Sequence, residues 1–299
     1  MIAIVGATGH TGRPAAEALL DKGEKVRVIG RDSAKLASFA SRGAEPFAAN
    51  VEDAAAMTKA FEGAEAVYAL IPQSRSDDVR AYQESVTDSL AAALAAARGP
   101  YAVTLSSMGA QFESGTGPIV GLHGMEQKLN KIAGLHVLHL RPTQFMENLL
   151  MSIPPLRTMG FLPGASPGDQ VQPWIATKDI GAHAALRLAA RDFSGSSIQE
   201  LTGPRDASWK ELATLIGNAI GKPRLNYMHV PFIMLEPGLV QMGMPKKTAA
   251  LMVEMLKAMN AGKLAPQTPR TPQNTTPTTL ESFIAEVFVP AYQAKATTA

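Results

Sequence analysis

The first twenty residues contain the feature that most restricts what this chain can fold into. An apolar run, Ile2–Val5, leads directly into a turn with glycines at three spaced positions, and an alanine-rich helical pattern over 14–20 follows. Gly6 allows a sharp turn off the strand, Gly9 lets backbone approach an anion, and Gly12 lets the helix pack close to the strand. The unpaired N–H groups of the helix's first turn would face that anion. A strand, turn and helix in this order predict a site for the pyrophosphate of a dinucleotide.

Composition sets wide limits around that prediction. The chain has 299 residues, 46% of them hydrophobic, which is enough for one large domain or two unequal ones. Its formal net charge of +2 gives no strong field, so we predict neither nucleic acid nor a membrane as a partner. The chain has no cysteine, which excludes disulfides, thiolate nucleophiles and Cys-ligated metal sites. We predict no metal site, and any redox chemistry must come from a bound cofactor.

The N-terminus and the longest apolar stretch bear on location. Met1 runs straight into the first strand pattern, which leaves no room for a signal peptide, so we expect a cytoplasmic protein. The least polar stretch, Leu90–Ala97, is too short to span a bilayer and is typical of a packed helix.

The first half of the chain alternates short apolar runs with alanine-rich helical segments. This pattern predicts an α/β fold, a Rossmann-type doubly wound parallel sheet, over residues 1–150. The predicted helices begin near Gly12, Ser33, Asp53, Asp77 and Val120. The predicted strands are Ile2–Val5, Lys25–Arg31, Ala44–Ala49, Ala66–Ile71, Tyr101–Ser106 and His136–Arg141.

After Arg141 prolines interrupt the pattern, and residues 151–299 are predicted to form mainly a smaller α/β region that covers the substrate. Elements from 170–203 are expected to return to the first domain. The predicted elements of the second half are a strand Ser197–Thr202, a helix Trp209–Ile220, an extended piece Arg224–Val230, a helix Lys246–Asn260, a loop Pro266–Pro277 and a capping box, Thr278 with Glu281, that opens a last helix.

The end of the second predicted strand indicates which nicotinamide dinucleotide is bound. A basic residue there pairs with a 2′-phosphate, whereas an acidic residue accepts hydrogen bonds from a free ribose. Arg31 stands nineteen positions beyond Gly12, and Lys35 follows one turn into the next helix. These two side chains favour NADP(H). Asp32 leaves an alternative open, because it either caps the following helix or repels a phosphate.

At this point the chain resembles the NmrA-like branch of the atypical short-chain dehydrogenase/reductase superfamily. The resemblance rests on Gly-Ala-Thr-Gly-x-Thr-Gly at 6–12, on Arg-Asp-Ser-Ala-Lys at 31–35, on Ser-Ser-Met-Gly-Ala at 106–110, on Leu-Arg-Pro-Thr-Gln-Phe-Met-Glu-Asn at 140–148 and on Leu-Glu-Ser-Phe at 280–283. It implies an NADPH-dependent reductase of quinones or triarylmethane dyes. The same branch includes noncatalytic redox-sensing regulators, so a sensor that acts through a protein partner is the alternative.

The resemblance also implies a set of cofactor contacts at the carboxyl ends of the strands. Lys35 is added to this set because of its position after Arg31. Lys128 is added as a candidate, although it does not lie on the helix face that carries His123. The candidate residues are Gly6, Thr8, Gly9, His10, Thr11, Gly12, Arg31, Lys35, Asn50, Val51, Leu70, Ile71, Pro72, Ser106, Ser107, Lys128, Pro142, Thr143 and Phe145.

The pattern departs from most short-chain dehydrogenases in one respect. Those enzymes use a Tyr-x-x-x-Lys pair as the proton donor. None of the five tyrosines here, Tyr68, Tyr82, Tyr101, Tyr227 and Tyr292, has a lysine four positions later. Ordinary carbonyl reduction therefore lacks its acid, and a sugar-nucleotide enzyme is disfavoured. A quinone or a cationic dye needs no strong acid, because hydride transfer generates a stabilised anion or a neutral product.

His123 is the candidate catalytic residue. A histidine at this position resembles the quinone-reductase members of the family, whereas isoflavone-reductase-like members have a lysine at about this position. On a helix His123 shares a face with Glu126. An imidazole exchanges protons near neutral pH, but a histidine bonded to a local carbonyl, with only a structural role, is an equal alternative.

Methionines crowd the C-terminal region, and they suit either a pocket for flat aromatic substrates or plain core packing. They are Met228, Met234, Met242, Met244, Met252, Met255 and Met259. The combined hypothesis is an NADPH-dependent oxidoreductase that transfers hydride to a small aromatic or quinone-like substrate, with homodimer formation left open.

Overall fold

The structure is a computed structural model that describes residues 1–74, 76–97 and 101–294. Within this part of the chain, strands form one large and two small sheets. The strands are β1 Ile2–Val5, β2 Val26–Gly30, β3 Glu45–Ala48, β4 Ala66–Ala69, β5 Tyr101–Leu105, β6 His136–Pro142, β7 Gln144–Phe145, β8 Leu162–Gly164, β9 Val171–Ile175, β10 Ser196–Leu201, β11 Asp206–Ser208 and β12 Tyr227–His229.

Helices connect the strands and complete the C-terminal region. A 3₁₀ segment, Met146–Ser152, precedes α6, and a π-helical segment, Ile284–Phe288, joins the last two helices. The α-helices are α1 Gly12–Asp21, α2 Ser33–Ala40, α3 Ala54–Phe61, α4 Val79–Ala97, α5 Ile119–Leu129, α6 Ile153–Met159, α7 Thr177–Ala190, α8 Trp209–Ala219, α9 Phe232–Gln241, α10 Lys246–Asn260, α11 Leu280–Phe283 and α12 Val289–Gln293.

The large sheet is parallel and doubly wound, as the sequence predicts. Its strand order is β10-β6-β5-β4-β1-β2-β3. Alternate residues of β1 enter different cores: Ile2 and Ile4 pack in one, and Ala3 and Val5 in the other. Helices α1, α2 and α7 contribute to the first core, whereas α3, α4 and α5 contribute to the second. A strand buried on both faces explains why β1 reads as a continuous apolar run.

The seventh strand comes from the second half of the chain. β10 pairs with β6 in parallel along its whole length, from Ser196 opposite Val137 to Leu201 opposite Pro142. The preceding helix, α7, packs against α1 so closely that a Cβ on Gly181 would lie 2.9 Å from the amide nitrogen of Ala15. These elements join the large sheet, although the division of the chain into domains at residue 150 stays a prediction.

The remaining elements surround a third core that contains Trp174 and Trp209. The predicted capping box lies one residue too early. Thr279, rather than Thr278, caps α11 by accepting the amide of Ser282 at 3.1 Å. The buried carboxylate of Asp179 binds Thr278 through both its amide (2.8 Å) and its hydroxyl (2.7 Å), which removes Thr278 from the capping position. Glu281 pairs instead with Arg205.

Among the described residues, no helix combines the length and apolarity needed to cross a membrane.

Candidate functional site

The glycine turn after β1 has the geometry that its sequence predicts. Gly6 has φ +67°, in the left-handed region, and its carbonyl accepts the amide of Gly9 at 2.8 Å. A Cβ on Gly12 would lie 2.7 Å from the carbonyl carbon of Gly6 and nearer still to its oxygen. Only glycine therefore lets α1 begin this close to the end of β1.

The N-terminus of α1 is open to an anion. In the described structure the Thr11 side chain makes no capping bond, and the first turn of α1 carries no acidic residue. Thr11 and Gly12 are buried, whereas Gly9 and His10 are exposed at the tip of the turn. In this first turn Arg13 donates its N–H to the Gly9 carbonyl at 3.0 Å and Pro14 has no N–H, so the Gly12 N–H and the helix dipole are what favour a negative group at this position.

The ends of the neighbouring strands border this turn. Leu70, just after β4, would contact a Cβ on Gly6 at 3.2 Å, and the amide of Ala7 reaches the carbonyl of Ile29 at the end of β2. Leu70 is buried, while Ile71 and Pro72 are half-buried. The structure therefore brings the predicted residues after β4 to the glycine turn.

Asp32 caps α2, which is one of the two alternatives left open by the sequence. Its carboxylate accepts the amides of Ala34 at 3.0 Å and Lys35 at 3.2 Å, and it lies 3.7 Å from the Lys35 ammonium. Arg31 is exposed beside it. Capping does not remove the negative charge of Asp32, and a contact between Arg31 and a 2′-phosphate stays a prediction.

A cavity of about 570 Å³ lies between the segment after β3 and the start of α4. Tyr82 is half-buried in the wall of this cavity. Burial and the negative charge of Glu52 raise the pKa of its phenol, and the positive charge of Arg31 offsets part of that rise. Asn50, a predicted contact, accepts the amide of Glu52 at 3.3 Å, and Val51 is buried beside it. The lining residues are Glu52, Ser74, Ser76, Ala81, Tyr82 and Ser85.

The ends of β5, β6 and β10 meet at a second part of the site. The amide of Met108 approaches the carbonyl of Pro142 at 3.3 Å, and the amide of Thr143 donates to Leu201 at 3.0 Å. The predicted contacts Ser106, Ser107, Pro142, Thr143 and Phe145 therefore cluster there. Lys128 does not join them, because it lies exposed on α5 and pairs with Asp88 of α4.

His123 is half-buried on α5, and its Nδ1 lies 2.8 Å from the carbonyl oxygen of Ala110. A carbonyl only accepts, so Nδ1 carries the proton and Nε2 is the acceptor of the neutral ring. The contact with a local carbonyl is the one expected for a structural histidine. A catalytic role for His123 stays a prediction.

A buried ion pair, Glu126 with Arg141, joins α5 to β6, and the sequence gives little indication of it. Glu126 accepts the Ser106 hydroxyl at 2.5 Å and binds Arg141 through Nε at 2.9 Å and Nη2 at 2.5 Å. All three residues are at least nine-tenths buried. An arginine in a strand that otherwise contains only apolar residues and two histidines is the sequence signal for such a pair.

A second row of polar side chains lies two residues earlier on β5 and β6 than the row formed by Ser106, Glu126 and Arg141. His139 Nδ1 is 2.7 Å from the Thr104 hydroxyl, and its Nε2 is 2.9 Å from the Asn130 side-chain oxygen. Burial lowers the pKa of His139 to about 4, so the ring is neutral near pH 7. The two rows fix α5 against the ends of β5 and β6 with directional bonds.

The methionine-rich region is neither a closed core nor an enclosed pocket. Met228, Met234 and Met242 are exposed, and Met244, Met252, Met255 and Met259 are half-buried. In the described chain, α9 has no fully buried residue. Core packing therefore does not account for the three exposed methionines.

Comparison with known proteins gives consistent matches. The chain is 28% identical over 224 residues to a (4-alkanoyl-5-oxo-2,5-dihydrofuran-3-yl)methyl phosphate reductase of Streptomyces griseus, which covers 75% of each chain. An NADPH-dependent quinone oxidoreductase of Escherichia coli in complex with NADPH superposes with a TM-score of 0.82 and 24% identity, over 96% of this chain and 100% of that one.

A triphenylmethane reductase of Citrobacter sp. in complex with NADP(H) superposes with a TM-score of 0.75 and 18% identity, over 89% of this chain and 92% of that one. The model of the NmrA-like family matches residues 1–284. That match extends from the glycine turn to the π-helical segment near the C-terminus. The chain therefore belongs to the NmrA-like family.

Proposed function

We propose that this protein is an NADPH-dependent oxidoreductase that transfers hydride to a quinone or a similar aromatic electrophile. The observation that carries the proposal is the combination of the glycine turn with Arg31. The turn offers free N–H groups for a pyrophosphate, and Arg31 offers an exposed guanidinium for a 2′-phosphate. The reductases that superpose on the chain, crystallised with NADPH or NADP(H), support the same choice of cofactor.

Each part of the site has a role in this proposal. The first turn of α1 binds the pyrophosphate, and Arg31 pairs with the 2′-phosphate. The strand ends at Ser107 and at Pro142–Phe145 flank the nicotinamide ring and orient it. NADPH, when bound, supplies the hydride, so the protein contributes position and electrostatics. His123, through Nε2, accepts a hydrogen bond from a hydroxyl of the cofactor or the substrate.

We expect neither Tyr68 nor Tyr227 to supply a proton. Tyr68 is fully buried under the glycine turn, and burial raises its pKa. The Tyr227 hydroxyl donates to the carbonyl of Ser166 at 2.5 Å, and burial raises its pKa as well. A quinone takes up hydride to give a stabilised phenolate, which solvent protonates. The chemistry of the acceptor therefore suits a site without a Tyr-Lys pair.

Turnover decides between the enzyme and a noncatalytic NADP(H) sensor. We expect the purified protein to oxidise NADPH steadily with at least one acceptor from a panel of soluble quinones and triarylmethane dyes, measured from the loss of NADPH absorbance. The His123→Ala variant, run in parallel, tests the imidazole, since unchanged turnover would leave His123 a structural role. Tight NADPH binding without oxidation by any acceptor would instead favour the sensor.

Arg31 is expected to select the phosphorylated cofactor. Replacing Arg31 with alanine removes a charge-assisted bond, so we expect NADPH affinity to fall about 10- to 100-fold while NADH affinity changes little. The measurement is fluorescence titration with each cofactor. Lys35→Ala is the control, because Lys35 is exposed and already paired with Asp32, and its effect should be several-fold smaller. Equal losses for NADPH and NADH in Arg31→Ala would contradict a 2′-phosphate role.

A further inference from the structure

Helix α9 is apolar on both of its sides. Phe232, Leu235 and Leu239 lie on the half-buried side of the helix, which packs against α10. The opposite side, at positions 233, 234, 237, 240 and 241, forms one helical face, and it carries no charged residue. Ile233 is 85% exposed and Met234 is 64% exposed. A helix that is hydrophobic all round is normally covered on every side.

Residues at both ends of α9 enlarge this face. Met228 is 46% exposed before the helix, and Met242 is 69% exposed after it. We define the α9 patch as Met228, Ile233, Met234, Val240 and Met242. Single exposed apolar residues need no explanation, but several of them on one short helix and its flanking residues mark a surface that meets another apolar phase.

The chain segment that carries the α9 patch is rich in basic residues. Residues 222–247 contain four basic side chains, Lys222, Arg224, Lys246 and Lys247, and one acidic side chain, Glu236, a net charge of +3. The formal charge of the whole chain is +2, so the rest of the chain is slightly acidic. Glu236 lies on the half-buried side of α9. Lys246 and Lys247 are exposed, and Lys247 lies 3.4 Å from the Asp78 carboxylate, so Lys246 contributes most to the local positive charge. The prediction of no membrane partner rests on the net charge of the whole chain, which does not describe the charge of this segment.

We infer that the α9 patch docks on an anionic lipid surface, with α9 lying in the plane of the interface. An apolar helical face beside lysines matches that surface in both polarity and charge. A second copy of the chain fits less well, because a symmetric contact would set the same basic residues against each other. A ten-residue helix, about 15 Å long, also offers much less area than the roughly 800 Å² per partner of a stable dimer.

This inference goes beyond the proposed function, since it concerns location rather than hydride transfer. Docking would bring the site to electron acceptors dissolved in the lipid. Neither idea requires the other, because lipid binding can be measured without NADPH or an acceptor.

The test is co-sedimentation of the full chain with vesicles. We expect the wild-type protein to bind vesicles of equal parts phosphatidylcholine and phosphatidylglycerol, to bind pure phosphatidylcholine much less, and to dissociate as salt is raised. The double variant Ile233→Ser/Met234→Ser should lose at least about tenfold in affinity, since it removes the two most exposed apolar side chains of the patch. The matched control is Met159→Ser/Val171→Ser, which removes two apolar side chains that are 56% and 62% exposed outside the patch.

Equal binding by the two double variants, or no binding by the wild-type protein, would overturn the inference. Thermal unfolding of each variant checks that a loss of binding is not a loss of fold. Light scattering after size exclusion gives the other outcome. A dimer that becomes monomeric in Ile233→Ser/Met234→Ser, without any vesicle binding by the wild type, would assign the α9 patch to a second copy and contradict lipid docking.

Discussion

Gly12→Ala is expected to abolish high-affinity NADPH binding, with a loss of at least about 100-fold, or roughly 2.7 kcal/mol. The new Cβ would overlap the carbonyl group of Gly6, and both of the nearest atoms belong to the backbone. No rotamer change can relieve the overlap, so α1 must shift away from β1. That shift moves the N–H of residue 12 and the helix N-terminus that would face the pyrophosphate. We also expect a fall of about 1–3 kcal/mol in the free energy of unfolding.

Fluorescence titration with NADPH and urea unfolding measure these two effects. Gly124→Ala is the matched control, because Gly124 is also in a helix but a Cβ there has no neighbour within 4 Å. Its replacement should leave NADPH affinity unchanged and stabilise the protein by up to about 1 kcal/mol. If Gly12→Ala bound NADPH as tightly as Gly124→Ala does, the glycine turn would not be the phosphate site.

The glycine turn was accessible from sequence because its cause is local. The steric need for glycine at position 12 arises from Gly6, only six residues away. The six strands of the first half were predicted within about two residues. The inner strands are buried on both faces and read as short apolar runs, whereas the edge strand β3 is mostly exposed. Helix α10 was predicted with its observed bounds, Lys246–Asn260, from its periodic pattern.

Features that depend on distant partners were harder to predict. Thr278 fits the capping pattern as well as Thr279 does, and only Asp179, about a hundred residues earlier, decides between them. The pairing of β10 with β6 likewise depends on tertiary structure, because the sequence of β10 does not indicate which strand it pairs with. The cavity at the start of α4 forms from Glu52 and the residues around Tyr82, two segments that carry no shared motif.

The α5 region shows the same limit within the candidate site. The sequence places His123 and Glu126 on one helical face and leaves both roles open. In the structure the histidine has a modest contact with Ala110, whereas Glu126 forms the buried bonds with Ser106 and Arg141. An isolated glutamate on a helix is usually solvated. Nothing in its neighbouring sequence shows that an arginine fifteen residues later lies against it.

Glu126→Leu is expected to destabilise the protein by about 3–5 kcal/mol, measured by urea unfolding, because it leaves the Arg141 guanidinium buried without its partner. The double variant Glu126→Leu/Arg141→Met removes both charges and keeps apolar bulk. It should regain most of that loss, since a buried ion pair contributes little more than packed hydrophobic side chains do. The Ser106 hydroxyl then lacks its acceptor, which retains a residual cost of about 1–3 kcal/mol.

Lys128→Ala is the control on the same helix. It breaks the exposed pair with Asp88, so its cost should stay below about 1 kcal/mol. A small effect of Glu126→Leu, comparable with that of Lys128→Ala, would mean that water reaches Arg141 and that the pair is not buried in solution. If instead the double variant were as unstable as Glu126→Leu, then the bonds to Ser106 and Arg141, rather than the uncompensated charge, would hold α5 against the ends of β5 and β6.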